Sequence, residues 1–181
     1  MEGMEMEMGD VAELAEKWDD MLFGVRRSIR YHQRRRAFFD RLDQSSNMLS
    51  VFFGSTAIYG ILKDDYQALA LGASALVTAL ASINLVVGSA LRARAHSDFV
   101  RQYIDLEKRM LGQPDEQTLK QVTEGRLSIE AQEPPVLHVL NAICHNEMMR
   151  AMGHDKKDFA KIGPLQRLFA QLFDFREHTI H

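Results

Sequence analysis

Two uncharged stretches, Gln44–Leu62 and Tyr66–Leu91, are separated only by Lys63, Asp64 and Asp65. An α-helix rises about 1.5 Å per residue, so a hydrocarbon layer about 30 Å thick takes about 20 largely apolar residues to cross, with about 17 tolerated. Both stretches reach that length. The link between them has room only for a tight reversal, and the economical expectation is a helical hairpin that crosses a bilayer twice. The mean hydropathy of the whole chain, −0.23, conceals this, because a polar head and tail dilute two apolar segments. Ala68–Leu91 is apolar all round, whereas a surface helix of a water-soluble protein keeps a polar face. Asn47–Leu62 has a shorter apolar core, with Ser46 and Asn47 expected at its interfacial start and Tyr59 near the far interface.

Charge placement orients the hairpin. Arg26, Arg27, Arg30, Arg34, Arg35, Arg36 and Arg41 crowd the approach to the first span, and Arg92, Arg94 and Arg101 follow the second. The turn offers Lys63 against Asp64 and Asp65. By the positive-inside rule both termini are cytoplasmic and the turn faces outward. The first twenty residues hold eight acids and one base, Lys17, the reverse of a cleavable signal peptide, so the first span is expected to act as the insertion signal. The arginine run SIRYHQRRRAFF interleaves cations with aromatics as a nucleic-acid patch does. Its place immediately inside a span argues for topology and lipid contact instead, with each basic residue worth about 1 kcal/mol near an anionic leaflet. Pairing with acidic cytoplasmic helices is the other use for it, and no nucleic acid is expected.

The rest of the chain reads as almost wholly helical, with four prolines and few alternating β-branched runs. The expected fold is all-α: a two-span transmembrane hairpin with cytoplasmic helices before and after it. Residues 1–24 form an acidic N-terminal segment, partly disordered through MEGMEMEM, with helix from about Asp10. The core runs over 25–111, with a basic juxtamembrane helix, spans at about 46–62 and 66–91, and an exit helix on which Phe99, Tyr103, Leu106 and Met110 share a face. A cytoplasmic helical tail covers 112–181. Its expected helices are Asp115–Arg126, with thin apolar content, Pro135–Met152, ended by Gly153, and PLQRLFAQLFDF from Pro164, whose Leu165, Leu168, Phe169, Leu172 and Phe173 form an apolar face for helices or the inner leaflet.

Within the spans, Ser74, Thr78 and Ser82 recur every four residues and Ser89 follows seven on, so the four are expected on one helix face. Such a stripe serves close helix packing or, in an oligomer, lines a narrow aqueous path. Asn84 lies on a different face, and a buried amide there calls for an interhelical partner. Elsewhere the chemistry is sparse. The single cysteine, Cys144, excludes an intrachain disulfide and fits a reducing compartment. Cys144, His145, Glu147, His138 and His154 reproduce no metal-ligand spacing, and neither a phosphate loop nor a nucleophile elbow is present. Neither an enzyme nor a cofactor or metal is expected.

RSIRYHQRRRAFFDRLDQSSNML before the hairpin, LRARAHSDF and YIDLEKRM after it, and the EPPVLHVLNAICHNE segment together resemble the SLATT domains, the SMODS and SLOG-associating two-transmembrane effectors of bacterial nucleotide-signalling conflict systems. The resemblance covers about residues 25–153. It implies an inner-membrane effector that forms pores or breaches the membrane when a cytoplasmic sensor partner is triggered, in antiviral defence; a homo-oligomer packed through the small-residue faces of identical hairpins is the expected assembly. A non-conducting scaffold that docks a cytoplasmic partner, or a holin-like lysis protein, are the alternatives.

Overall fold

A computed structural model describes residues 2–62 and 66–180, with side chains at 9–55 and 66–180. The expected turn at Lys63, Asp64 and Asp65 and the side chain of Tyr59 lie outside the described residues. The protein is all-α: α1 (Glu2–Leu62), α2 (Gln67–Val87), α3 (Ser89–Arg109), α4 (Glu116–Glu130), α5 (His138–Ala151) and a short α6 (Pro164–Phe169). The chain divides into two compact units, one of residues 1–34 and 97–181, the other of residues 35–96.

In the first unit, Trp18, Val25 and Ile29 of α1 meet Phe99, Val100, Tyr103 and Leu106 of α3 and Val122 and Ile129 of α4, with Met110 closing the cluster. The spacings of seven and four on α1, and of four and three on α3, put these side chains on one stripe of each helix. The acidic segment thus contributes core residues and does not stand apart. Helix α1 is already formed at Glu2, ahead of the expected start near Asp10, since Glu and Met are strong helix formers and no proline interrupts them. In α4, Leu119, Val122 and Ile129 suffice because Gly125 removes a side chain where Leu106 presses in. A Cβ there would lie 2.8 Å from Leu106 Cδ2. Asp115 opens this helix, its carboxylate accepting from Thr118 N at 2.7 Å.

A second cluster joins Tyr31 of α1 to Val139, Leu140 and Cys144 of α5 and to Ala170. Helix α5 starts at His138, three residues later than expected. The chain stays extended after the two prolines, where Tyr31 Oη accepts from Leu137 N at 3.0 Å, while the Asp174 carboxylate accepts from His138 N and Val139 N, each at 2.9 Å. Helix α6 ends at Phe169, shorter than the expected twelve-residue helix. Gln166 Nε2 donates to Arg176 O at 2.9 Å and folds the chain back, and Phe169 stacks on Phe173 with centroids 5.0 Å apart.

In the second unit, α2 carries a buried or half-buried face of Ala70, Ala73, Val77, Leu80, Asn84 and Val87. The expected unbroken helix from the second span to Leu111 is interrupted at Gly88, whose φ of 61° and ψ of 45° are left-handed. Glycine takes that conformation without the steric cost a side chain would bring. Among the described residues one helical stretch, Gln67–Arg109 with its bend at Gly88, is long and apolar enough to cross a membrane. The expected two-span hairpin is therefore only half visible. The stretch at 46–62 is the C-terminal end of α1, and its polar Ser46, Asn47, Ser50 and Ser55 leave a short apolar core.

Candidate functional site

The side chains available for chemistry in the second unit come from α1 beyond Arg35, from α2, and from the first turns of α3. On α2 the apolar surface points outward: Leu69, Leu71, Leu76, Ile83, Leu85 and Val86 are exposed, Leu85 and Val86 by more than four-fifths at 83% and 84%. On α1, Met48, Val51 and Phe52 are exposed as well. So many large apolar side chains left exposed on one helix call for a partner or a lipid phase.

Ser74, Thr78 and Ser82 lie beside this surface and are exposed. Each hydroxyl donates to the carbonyl four residues earlier, Ser74 Oγ to Ala70 O at 2.9 Å, Thr78 Oγ1 to Ser74 O at 2.9 Å and Ser82 Oγ to Thr78 O at 2.8 Å. The stripe is satisfied along its own helix and does not form the face that packs within the chain. Ser89 does not join it. The left-handed turn at Gly88 shifts the register, and Ser89 is 1% exposed.

Asn84, in the middle of the packed face, donates through Nδ2 to Asp43 Oδ1 at 3.2 Å, and Asn47 Nδ2 donates to Asp43 Oδ2 at 3.1 Å. Asp43 was not singled out by sequence reasoning. An acid immediately before the uncharged stretch that begins at Gln44 was the available signal. Nearby, the Phe39 ring is buried between cations: the Arg35 guanidinium lies 4.6 Å from its centroid, that of Arg92 5.7 Å, and His96 stacks on it at 5.7 Å with planes 9° apart. Arg36 pairs with Asp40 at 3.4 Å, and Arg41 and Arg94 are exposed.

The other basic residues belong to the first unit and make protein contacts there. Arg26 Nε donates to Glu107 Oε1 at 2.7 Å, Arg34 grips the Glu147 carboxylate with two nitrogens, Nε lying 3.3 Å from Oε2, and Arg30 Nε reaches Met148 Sδ at 2.9 Å. Arg27 is half-buried with Nε lacking an acceptor. Burial first, and the neighbouring Arg126 second, hold its pKa below the ordinary arginine value. It borders a cavity of about 350 Å³ together with His32 and Glu133, whose Nε2 and Oε1 lie 2.9 Å apart with the side chains 1% and 9% exposed. His32 is wedged between the rings of Phe99 and Tyr103, with centroids 5.0 and 5.7 Å away. Sequence reasoning missed this pair because its members are 101 residues apart.

In the tail, His138, Asp174 and Glu177 come within ligand-sharing distance of one another, with His138 and Glu177 exposed. Asp174 is already engaged with the first amides of α5, which accounts for its position. Cys144 is buried, and burial pushes its thiol up from the usual 9.0 to about 12. Two outcomes follow. A thiol reagent at pH 8 should label the native chain at least about tenfold more slowly than the denatured one, because the thiolate is the nucleophile. Stability should also decline as pH rises from about 9 towards about 12, since the unfolded thiol releases its proton there and the folded one retains it. His145 is held below its ordinary value by burial and then by Arg27, and its edge packs against Phe23 with centroids 5.2 Å apart.

No protein-family pattern matches the chain, and neither a curated protein nor a solved structure proves similar to it.

Proposed function

We propose that this chain is a two-span protein of the bacterial inner membrane, with both termini cytoplasmic, that assembles with copies of itself into a pore opened through its cytoplasmic helices. The unburied apolar surface of α2 carries the reading. In its most apolar 18-residue window only 11% is buried, where the core helix of a water-soluble protein would be mostly enclosed. The exposed hydroxyl stripe supports oligomeric assembly, since Ser74, Thr78 and Ser82 face outward and small hydroxyl faces favour close approach of helices in lipid. The likeness to SLATT effectors, carried by RYHQRRRAFFDRL and the EPP to CHNE segment, points to the same role in conflict between bacteria and their viruses, with a cytoplasmic sensor as trigger. Ion pairs such as Arg26 to Glu107 and Arg34 to Glu147 give that trigger something to act on. A bias of a few kcal/mol between two packings is enough to shift a poised equilibrium.

The test is ion efflux from liposomes that hold the purified chain, beside the Thr78→Leu variant. Efflux reduced by about tenfold or more in the assembled variant supports conduction along the hydroxyl face, because a bulky apolar side chain there dewets a narrow path. Equal efflux removes that face from the pore. Absent efflux from inserted protein favours a scaffold, the second reading, which gains support from the exposed Leu165, Leu168, Leu172 and Phe173 of the tail.

A further inference from the structure

A cavity of about 290 Å³ in the first unit is bordered by three arginines from three helices, Arg34 of α1, Arg150 of α5 and Arg167 of α6, and by one acid, Glu147. Glu147 is spent on Arg34, which grips its carboxylate with two nitrogens. Neither Arg150 nor Arg167 pairs with a carboxylate among the described residues. Arg150 is instead held over the Phe159 ring, its Cζ 5.5 Å from the centroid, a contact that positions a cation without neutralising it. The neutral polar groups of the wall are already engaged. Asn146, 7% exposed, donates through Nδ2 to Ala160 O at 2.7 Å and accepts at Oδ1 from Ala160 N at 2.8 Å, which fixes the segment carrying Phe159 and Ile162 against α5.

The residues on the border thus carry three positive charges against one negative. A roughly spherical cavity of this volume is about 8 Å across, no more than a Debye length at physiological salt, so these charges are not screened from one another. Water solvates a guanidinium but leaves its charge, whereas an anion satisfies the N–H groups and balances the charge together. The guanidinium fork matches the paired oxygens of a phosphate or a carboxylate. The surplus of positive charge favours phosphate, because a phosphate monoester carries about −1.5 to −2 near pH 7 and a carboxylate about −1. We infer that this cavity binds one phosphate group, with Arg150 and Arg167 as its donors and Arg34, oriented by Glu147, adding its charge. The same chemistry is offered by free phosphate and by the monoester headgroup of a lipid. The site goes beyond the pore reading and stands whether or not the chain conducts.

The experiment is isothermal titration of the full chain in detergent with inorganic phosphate and, separately, with dihexanoyl phosphatidic acid, sodium chloride holding ionic strength constant. Saturable binding of about one anion per chain is expected. Similar affinity for the two probes identifies a free phosphate as the source, and binding of the lipid at least about tenfold more tightly identifies a headgroup. Arg150→Gln and Arg167→Gln, both at exposed positions, should each weaken binding by about tenfold or more. Arg101→Gln, at an exposed arginine outside the cavity, should leave it unchanged. Absence of saturable binding of either probe up to about 10 mM, or binding unchanged in both glutamine variants, overturns the proposal. Should a glutamine variant fail to fold, Arg167→Lys decides in its place: it keeps the charge, removes the fork and should weaken binding by about threefold or more. Efflux from liposomes holding the same chain is scored separately, so that loss of the site and loss of the pore are told apart.

Discussion

Replacing Leu76 and Ile83 together by arginine is expected to expel the chain from the membrane fraction. An arginine near the middle of a spanning helix costs about 2.5–3.5 kcal/mol on insertion scales, so the pair costs about 5 kcal/mol or more, about a few thousandfold in the insertion equilibrium. Both side chains are exposed, at 41% and 57%, so both replacements fall on the outward surface of the helix. That exposure makes the variant decisive. On a helix facing water, exposed leucine or isoleucine changed to arginine alters stability by about 0.5 kcal/mol at most and raises solubility. Alkaline carbonate extraction of membranes, with Leu76→Ala and Ile83→Ala as the control pair, reads the difference directly. Retention of the double arginine variant in the extracted membranes would place α2 outside the hydrocarbon.

The other large effect belongs to the head of the chain. Trp18→Ala should lower the stability of the first unit by about 3–5 kcal/mol, because an indole that is only 4% exposed leaves a cavity that α3 and α4 fill only in part. In a chain of this size that corresponds to a fall in melting temperature of about 6–20 °C, read by circular dichroism at 222 nm. Val11→Ala, at a side chain 64% exposed on the same helix, should change it by less than about 2 °C. A Trp18→Ala protein as stable as its parent would show that the acidic head is an appendage and no part of the core.

How far these features were legible in the sequence depended on the range of the interactions behind them. The helix positions of Phe99, Tyr103, Leu106 and Met110 follow from local periodicity, and all four are buried together. The outward apolar surface of α2 was legible for the same reason, since a segment without a polar face declares itself. Single-residue backbone choices were not. Gly88 sits inside an apolar run that permits an uninterrupted helix, and only its left-handed conformation separates Ser89 from the stripe it was expected to extend. Partners remote in sequence were beyond reach as well. The arginines read as lipid contacts include Arg26 and Arg34, whose acids lie 81 and 113 residues away on α3 and α5. Asp43 acquires meaning only because Asn84, 41 residues later, turns its amide towards it. The extended entry to α5 depends on Asp174, 36 residues beyond the amide it receives.

The first unit is discontinuous, and this sets an order of events during synthesis. Trp18, Val25 and Ile29 leave the ribosome early, yet the residues they pack against, from Phe99 to Ile129, are made only after both apolar stretches have emerged. At about 5–20 residues per second, the head waits about 5–20 s for its partners. During that interval the nascent chain presents an unpaired amphipathic helix while its apolar segments emerge. On the proposed two-span reading, delivery to the bilayer would precede completion of the helical module, and a chain stalled before Ile129 would hold its head without the partners that bury Trp18.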